Sequence, residues 1–184
     1  LASAAALYEA MLLDILDQHA AERDCARALW FAPAEARGWF EKFEPAGWRI
    51  LPQSGPDLAT RMATLFRVHA DEGFERIVLR GTDSPTLPAA RVAEAFDALE
   101  RADLVLCPDR DGGYNLIGLR AACDGLFALE LSHAGVLSQT LAKARALGLR
   151  AELLPAHHDV DTHADLLRLY PALDPQRTPR TLRL

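Results

Sequence analysis

The sequence predicts an α/β fold built on a mostly parallel sheet, and three observations lead to it. Two short apolar runs, Ile77-Val78-Leu79 and Leu104-Val105-Leu106, have the length of buried strands and lack the alternation of a strand with one wet face. Between them, residues 88–101 carry Val92, Ala95, Phe96 and Leu99 at helical spacing, so the unit reads β-α-β. Each run also delivers a carboxylate just past its C-terminal end: Asp83 in Gly81-Thr82-Asp83-Ser84-Pro85, and Asp111 in Pro108-Asp109-Arg110-Asp111-Gly112-Gly113-Tyr114. Ligands of open α/β sheets bind beyond the carboxyl ends of strands, which puts Asp83 and Asp111 in one expected crevice.

Composition bounds the rest. With 184 residues, half of them hydrophobic, the chain can bury one sizeable core, and one domain spanning 1–184 is expected. The 20 Lys and Arg against 26 Asp and Glu leave a net charge of −6, which gives no global field for nucleic acid or an anionic membrane; anionic ligands would have to be held locally. Cys25, Cys107 and Cys123 are odd in number and have no CxxC spacing, which points to reduced thiols used for packing and to a cytoplasmic setting. Glu9, Asp14 and Asp17 interrupt the first segment too often for a membrane span, and it has no basic n-region of a signal peptide. An α/β domain that opens on a helix is expected to have a first strand upstream, outside this sequence.

The elements follow in order. Residues 4–22 repeat Leu7, Met11, Leu12, Ile15 and Leu16 at three and four, an amphipathic helix. Residues 26–31 form a candidate strand closed by Pro33, residues 34–47 a short helix or irregular layer, and residues 48–52 a strand. Asp57 is placed to cap a helix running to about Gly73, with Leu58, Met62, Leu65, Phe66 and His69 on one face. After the central unit, residues 114–119 form a strand following the Gly-Gly turn. Residues 122–129 and 135–147 read as helices and residues 150–154 as a last strand; Asp161-Thr162 opens a helix to about Tyr170, and the tail from about 174 is expected to be extended on the surface.

Several residues could carry chemistry. Asp83 could hold a divalent cation against a diphosphate, or bond its own turn. The Gly112-Gly113 pair could be a hairpin turn or could let the backbone approach a ligand, with Asp111 binding hydroxyls or metal and Tyr114 offering an aromatic face. Asp109 is a weaker candidate. In His157-His158-Asp159-Val160-Asp161-Thr162-His163, an extended backbone would aim Asp159 and Asp161 the same way, and either could complete a metal site begun by Asp83; Asp161 is preferred. Gln53, Gly55, Asp57 and Arg61 join a glycine, an amide and a helix start that could contact a base or phosphate, or Arg61 could simply pair with Asp57. No GxSxG, HExxH, P-loop or dinucleotide fingerprint is present.

Taken in order, QSGPDLATRM, RIVLRGTDSPTLP, DLVLCPDRDGGYNLIGL and DVDTHADLLRL resemble a bacterial family of GT-A-fold transferases known as glycosyltransferases or as radical-SAM/selenodomain-associated transferases. The resemblance covers nearly the whole chain. It implies a three-layer α/β/α, Rossmann-like GT-A (nucleotide-diphospho-sugar transferase) fold, shared with nucleotidylyltransferases such as the molybdenum-cofactor and phospholactate guanylyltransferases. It also implies a divalent cation, Mg²⁺ or Mn²⁺, on Asp83 and Asp161. Asp111 and Asp83 would be the catalytic carboxylates, and Gln53, Gly55, Asp57, Arg61, Gly81, Thr82, Gly112, Gly113 and Tyr114 the substrate-facing residues. Two positions depart from the family pattern: Leu131-Ser132-His133 stands where a Trp-Ser pair is expected, and Asn115 where an aromatic is common.

The implied activity is metal-dependent transfer from a nucleotide-activated donor, first of all glycosyl transfer from a nucleotide sugar to a small acceptor. The alternatives are nucleotidyl transfer from an NTP to a phosphorylated acceptor, a non-catalytic nucleotide-binding protein of the same fold, and a metal hydrolase built on the histidine cluster. Neither nucleic acid nor a membrane span enters any of these readings.

Overall fold

The computed structural model describes residues 4–20, 24–43, 47–131 and 134–184. The chain runs α1 (Ala4–Gln18), β1 (Arg27–Phe31), α2 (Arg37–Phe40, between 3-10 turns at Ala34–Ala36 and Glu41–Phe43), β2 (Trp48–Pro52), α3 (Leu58–Asp71) and β3 (Ile77–Arg80). It continues through α4 (Ala90–Ala98), β4 (Leu104–Pro108), β5 (Tyr114–Leu119), α5 (Val136–Ala146), β6 (Ala151–Leu153), α6 (His163–Leu169) and α7 (Pro179–Leu182).

The strands pair in two sets. β1 and β2 are parallel, with Arg27 opposite Trp48 and Phe31 opposite Pro52. The other four lie in the order β3-β5-β4-β6. Within that set β5 is antiparallel to both neighbours and β6 is parallel to β4, so β3, β4 and β6 point one way and β5 alone is reversed. The Gly112-Gly113 turn sends the chain straight back from β4, and β5 thereby lies between the two strands of the β-α-β unit.

Alternating side chains explain the layers. Leu104 and Leu106 join Ile77, Ile117 and Leu119 on one face, against Met62, Leu65 and Phe66 of α3 and Ala144 of α5. Val105, Cys107 and Leu116 face the other way onto Leu87 and onto Ala95 and Ala98 of α4. Because β4 is covered on both faces, its residues 104–107 are all fully buried, which is why the run is uninterruptedly apolar. The three-layer α/β/α arrangement is therefore built as expected. A third apolar cluster, including Leu12, Leu16, Leu29, Phe31 and Phe40, packs α1 and α2 on β1.

Three local expectations change. Leu58 is 48% exposed, and Ala59 takes its place on the buried face of α3. Residues 122–129 form only a 3-10 turn, Asp124–Phe127, rather than an α-helix. The tail is not extended: α7 docks on α1, where the buried Asp14 accepts hydrogen bonds from the Arg180 and Thr181 N–H groups and from the Thr181 hydroxyl, the last two at 2.8 Å. Asp14 thus serves the free N–H groups at the start of α7 from another helix. Among the described residues no helix is long and apolar enough to cross a membrane.

A cavity of about 1110 Å³ is lined by every residue of β1 and of β3 together with Leu12, Ile15 and Leu16 of α1. The same cavity reaches Asp83, Asp111, Asp159 and Asp161, so its wall changes from apolar to acidic beyond the end of β3.

Candidate functional site

β3 ends at Arg80, and the turn that follows is fixed before its carboxylate is reached. The Gly81 N–H donates to the Asn115 carbonyl of β5 at 2.9 Å, while the Arg80 guanidinium donates to the Ser84 carbonyl at 2.7 Å. Gly81 has a steric role: a Cβ there would stand 2.5 Å from Asp83 Oδ1, so the carboxylate occupies the space a side chain would fill. Burial pushes the Asp83 carboxyl up from its usual pKa, and Arg80 opposes that shift only in part.

The second part of the site comes from the segment after β6, which is fastened at two points. The His157 N–H donates to the Pro108 carbonyl at the end of β4, at 2.9 Å, and the Val160 N–H donates to the Asp83 carbonyl at 3.1 Å. Val160 is thus hooked onto the Asp83 turn, and the aspartates on either side of it converge there. Oxygens of Asp83, Asp159 and Asp161 lie within 4.8 Å of one another, and so do oxygens of Asp109, Asp111 and Asp159. Asp159 belongs to both groups.

Clustered carboxylates in a partly dry setting resist ionisation. The Asp159 carboxyl is pushed up to about 8, first by burial, then by its contact with Asp109, then by the charges of Asp109, Asp161 and Asp83. Asp161 is raised as well, by burial and then by Asp83, Asp111 and Asp109. Either a proton or a cation relieves this repulsion. The donor set is all hard oxygen, which suits Mg²⁺ or Mn²⁺ rather than a softer metal. No imidazole belongs to either group among the described residues. His157 Nε2 is 3.1 Å from the Thr86 hydroxyl, and burial followed by the His158 charge pushes its pKa down to about 4, so it is neutral at pH 7. The histidine-centred hydrolase reading therefore has no geometric support.

The remaining sequence-derived candidates divide. Asp111, Gly113, Tyr114, Gln53, Arg61, Gly81 and Thr82 all line the cavity. Asp111 Oδ1 accepts from the Gly113 N–H at 2.9 Å, and burial pushes the Tyr114 hydroxyl up. Thr82 Oγ1 lies 2.9 Å from the Tyr8 hydroxyl of α1. Gly112 is required for a different reason, since its φ is +98° and a Cβ would come within 2.0 Å of the Ala134 carbonyl oxygen. The close approach it permits is to the Ala134 backbone.

Gly55 and Asp57 are not part of the cavity wall. Asp57 caps α3 by accepting from the Thr60 N–H at 2.7 Å, which holds its carboxyl below the usual range. Gly55 accepts from Arg61 Nε at 3.0 Å, and the Arg61 charge adds a smaller part to the lowering of Asp57. Gln53 is held on β1 through Trp30 O at 3.1 Å and Phe31 O at 2.7 Å. At the first departure from the family pattern, Ser132 and His133 lie outside the described residues, and Leu131 lines the cavity.

Three residues were undervalued in the sequence. Asp159 ranked behind Asp161, yet it links both carboxylate groups; the only hint was the shared orientation of alternate residues in an extended Asp-Val-Asp. Asp109 ranked below Asp111, yet it is 7% exposed and its carboxyl is in hydrogen-bonding contact with that of Asp159. Asn115 lines the cavity with both side-chain polar atoms buried and unpaired, a property no sequence pattern announces.

The chain is similar to several known proteins. It is 35% identical over 160 residues to a 3-phospho-D-glycerate guanylyltransferase of Phenylobacterium zucineum, covering 84% of this chain and 71% of that protein. It is 32% identical over 128 residues to a phosphoenolpyruvate guanylyltransferase of Chloroflexus aggregans, covering 65% of this chain and 62% of that protein, so it spans less than two thirds of that relative's length. Among solved structures, a protein of Desulfovibrio desulfuricans G20 carrying a provisional assignment as a nucleotide-diphospho-sugar transferase superimposes with a TM-score of 0.87 at 31% identity, covering 96% of this chain and 80% of that one. The model of the family described as "Uncharacterized protein conserved in bacteria (DUF2064)" matches residues 15–130, more than half of the sequence. The chain belongs to the DUF2064 family.

Proposed function

We propose that this protein is a nucleotidylyltransferase that moves the nucleoside monophosphate of an NTP, GTP first, onto the phosphate of a small phosphorylated carboxylic acid. In this reaction an acceptor phosphate oxygen bonds to the α-phosphorus of the NTP, the bond from that phosphorus to the α,β-bridging oxygen breaks, and diphosphate leaves. The observation that carries the reading is the meeting of Asp83, Asp159 and Asp161 at one end of a cavity shared with Gln53 and Arg61. Guanylyl transfer rather than glycosyl transfer comes first because two relatives above 30% identity are guanylyltransferases for phosphorylated acids. Glycosyl transfer is the second reading, favoured by the provisional assignment of the Desulfovibrio structure.

Asp83, Asp159 and Asp161 would hold a divalent cation, which when bound neutralises charge on the leaving diphosphate. The protein's own groups do the positioning. Arg61, in the first turn of α3, and Gln53, just after β2, both line the cavity, where a guanidinium and a side-chain amide suit the phosphates and base of a nucleotide. A phosphate oxygen is already ionised at neutral pH, so this acceptor needs no general base, and the deprotonating role expected of Asp111 is not required for nucleotidyl transfer.

Thermal unfolding with nucleotides tests this directly. GTP at about 100 times its Kd adds about 2.7 kcal/mol, which raises Tm by about 5–10 °C in a protein of this size. The shift should require Mg²⁺ or Mn²⁺ and exceed that of any nucleotide sugar. A metal-dependent shift with a nucleotide sugar but none with any NTP would reverse the order of the two readings.

A further inference from the structure

We propose that Arg61 and Gln53 read the base of the nucleotide and together select guanine. Among the described residues five arginines line the cavity, and four of them have a terminal nitrogen committed to the protein. Arg27 Nη1 donates to the His19 and Ala20 carbonyls, both Arg49 Nη atoms to Glu72, Arg76 Nη1 to the Phe96 carbonyl, and Arg80 Nη2 to the Ser84 carbonyl. Arg61 is held differently. Its Nε donates to the Gly55 carbonyl at 3.0 Å, and neither Nη has a partner among the described residues. The guanidinium is thus fixed at its inner nitrogen and presents an open, planar edge of N–H donors. Gly55 makes the hold possible: its φ is +136°, and a Cβ there would stand 2.9 Å from Thr60 Cγ2 and 3.2 Å from the Arg61 backbone nitrogen.

Gln53 has the complementary arrangement. Its Nε2 donates to the Trp30 carbonyl at 3.1 Å, which settles the two ends of the amide and leaves Oε1 without a partner among the described residues. The stretch from β2 into α3 therefore brings an open donor edge and an open acceptor to one cavity. That combination decides between the parts of a nucleotide. An ionised phosphate accepts hydrogen bonds and has none to give to Gln53 Oε1. The charges that weigh most on Asp83 are those of Arg80 and Asp109, and on Asp161 those of other aspartates, so Arg61 is not the counter-charge of the carboxylate end. Guanine offers both kinds of group: O6 and N7 accept side by side, the pair that a guanidinium fork contacts in nucleic acids, and N1–H donates. Adenine has an amino group in place of O6 and a bare N1, so it sets donor against donor at Arg61 and acceptor against acceptor at Gln53. The assignment rests on the proposed nucleotidyl transfer and adds to it the side chains that make GTP the donor.

The test is calorimetric titration of the protein in Mg²⁺ with GTP, ITP, ATP and 7-deaza-GTP. ITP keeps O6, N7 and N1–H and should bind as GTP does. ATP should bind about 5–150-fold more weakly, the range of one two-pronged base contact. In 7-deaza-GTP a carbon replaces N7, and its affinity should be about tenfold lower than that of GTP. Arg61→Lys keeps the charge and loses the fork, so GTP and 7-deaza-GTP should then bind alike. Binding of 7-deaza-GTP to the unaltered protein as tightly as GTP would overturn the assignment, and that comparison requires no variant to fold. An Arg61→Lys protein in which GTP and ATP weaken by the same factor would overturn it too, since that marks a phosphate contact. Equal affinity for GTP and ATP would remove the base readers and leave nucleotidyl transfer standing, whereas no binding by any of these nucleotides would sink both.

Discussion

Gly81 and Asp83 show how little separates a turn from a site. Gly81→Ala would place its methyl group where Asp83 Oδ1 now lies, and because only the end of a side chain must move, the cost in stability is small. Gly81→Ala should therefore lower Mn²⁺ affinity while leaving Tm within about 2 °C, measured by metal titration beside thermal unfolding. Asp83→Asn keeps the shape and removes the charge. Transfer should fall on the order of 10²–10³-fold with the fold unchanged, and an unaltered rate would remove Asp83 from the site. At this scale the sequence supplied Asp83 and Asp111 from their positions after apolar runs, and Asp161 from the Asp-Val-Asp alternation and the family resemblance. It undervalued Asp159 and Asp109, because their importance lies in burial and in the Val160–Asp83 hydrogen bond, a contact between residues 77 positions apart.

Elements were legible where periodicity was strong, and the misreadings have physical causes. The tail carries Pro175, Pro179 and three arginines, a composition that resembles a solvated segment, yet its partner is a carboxylate on the first helix. Asp14→Ala would leave the Arg180 and Thr181 N–H groups and the Thr181 hydroxyl without their acceptor. It should destabilise the protein by about 3 kcal/mol in urea unfolding and expose α7 amides to hydrogen exchange. β6 is held to β4 partly by Asp103, whose carboxylate accepts from Arg150 N, Nε and Nη2 at 3.0, 2.9 and 3.0 Å. The Arg150 side-chain contact, followed by its backbone N–H, holds the Asp103 carboxyl down at about 2. A depressed carboxyl contributes stability that is present above its ordinary pKa, near 4, and disappears as pH falls through the folded value near 2. The stability difference between the unaltered protein and Asp103→Asn should accordingly be present at pH 6 and shrink below pH 4. A difference that stayed constant across that window would contradict the assignment.

Across the whole molecule, the acidic end of the cavity and the net charge of −6 act together: phosphate-rich ligands would be repelled unless cations came with them. The α/β class and the three layers followed from buried apolar runs alternating with helical spacing. The insertion of β5 between β3 and β4 did not, because strand order depends on contacts distant in sequence. The choice between glycosyl and nucleotidyl transfer was not legible either, since both need a cation on the same carboxylates, and it is the guanylyltransferase relatives that favour nucleotidyl transfer. The most direct measurement is ³¹P NMR of the protein incubated with Mg²⁺, GTP and either 3-phosphoglycerate or phosphoenolpyruvate. Equal growth of diphosphate and of a new acceptor–GMP phosphoanhydride is expected, lost in Asp83→Asn. No diphosphate from any NTP, together with release of a nucleoside diphosphate from a nucleotide sugar, would contradict nucleotidyl transfer.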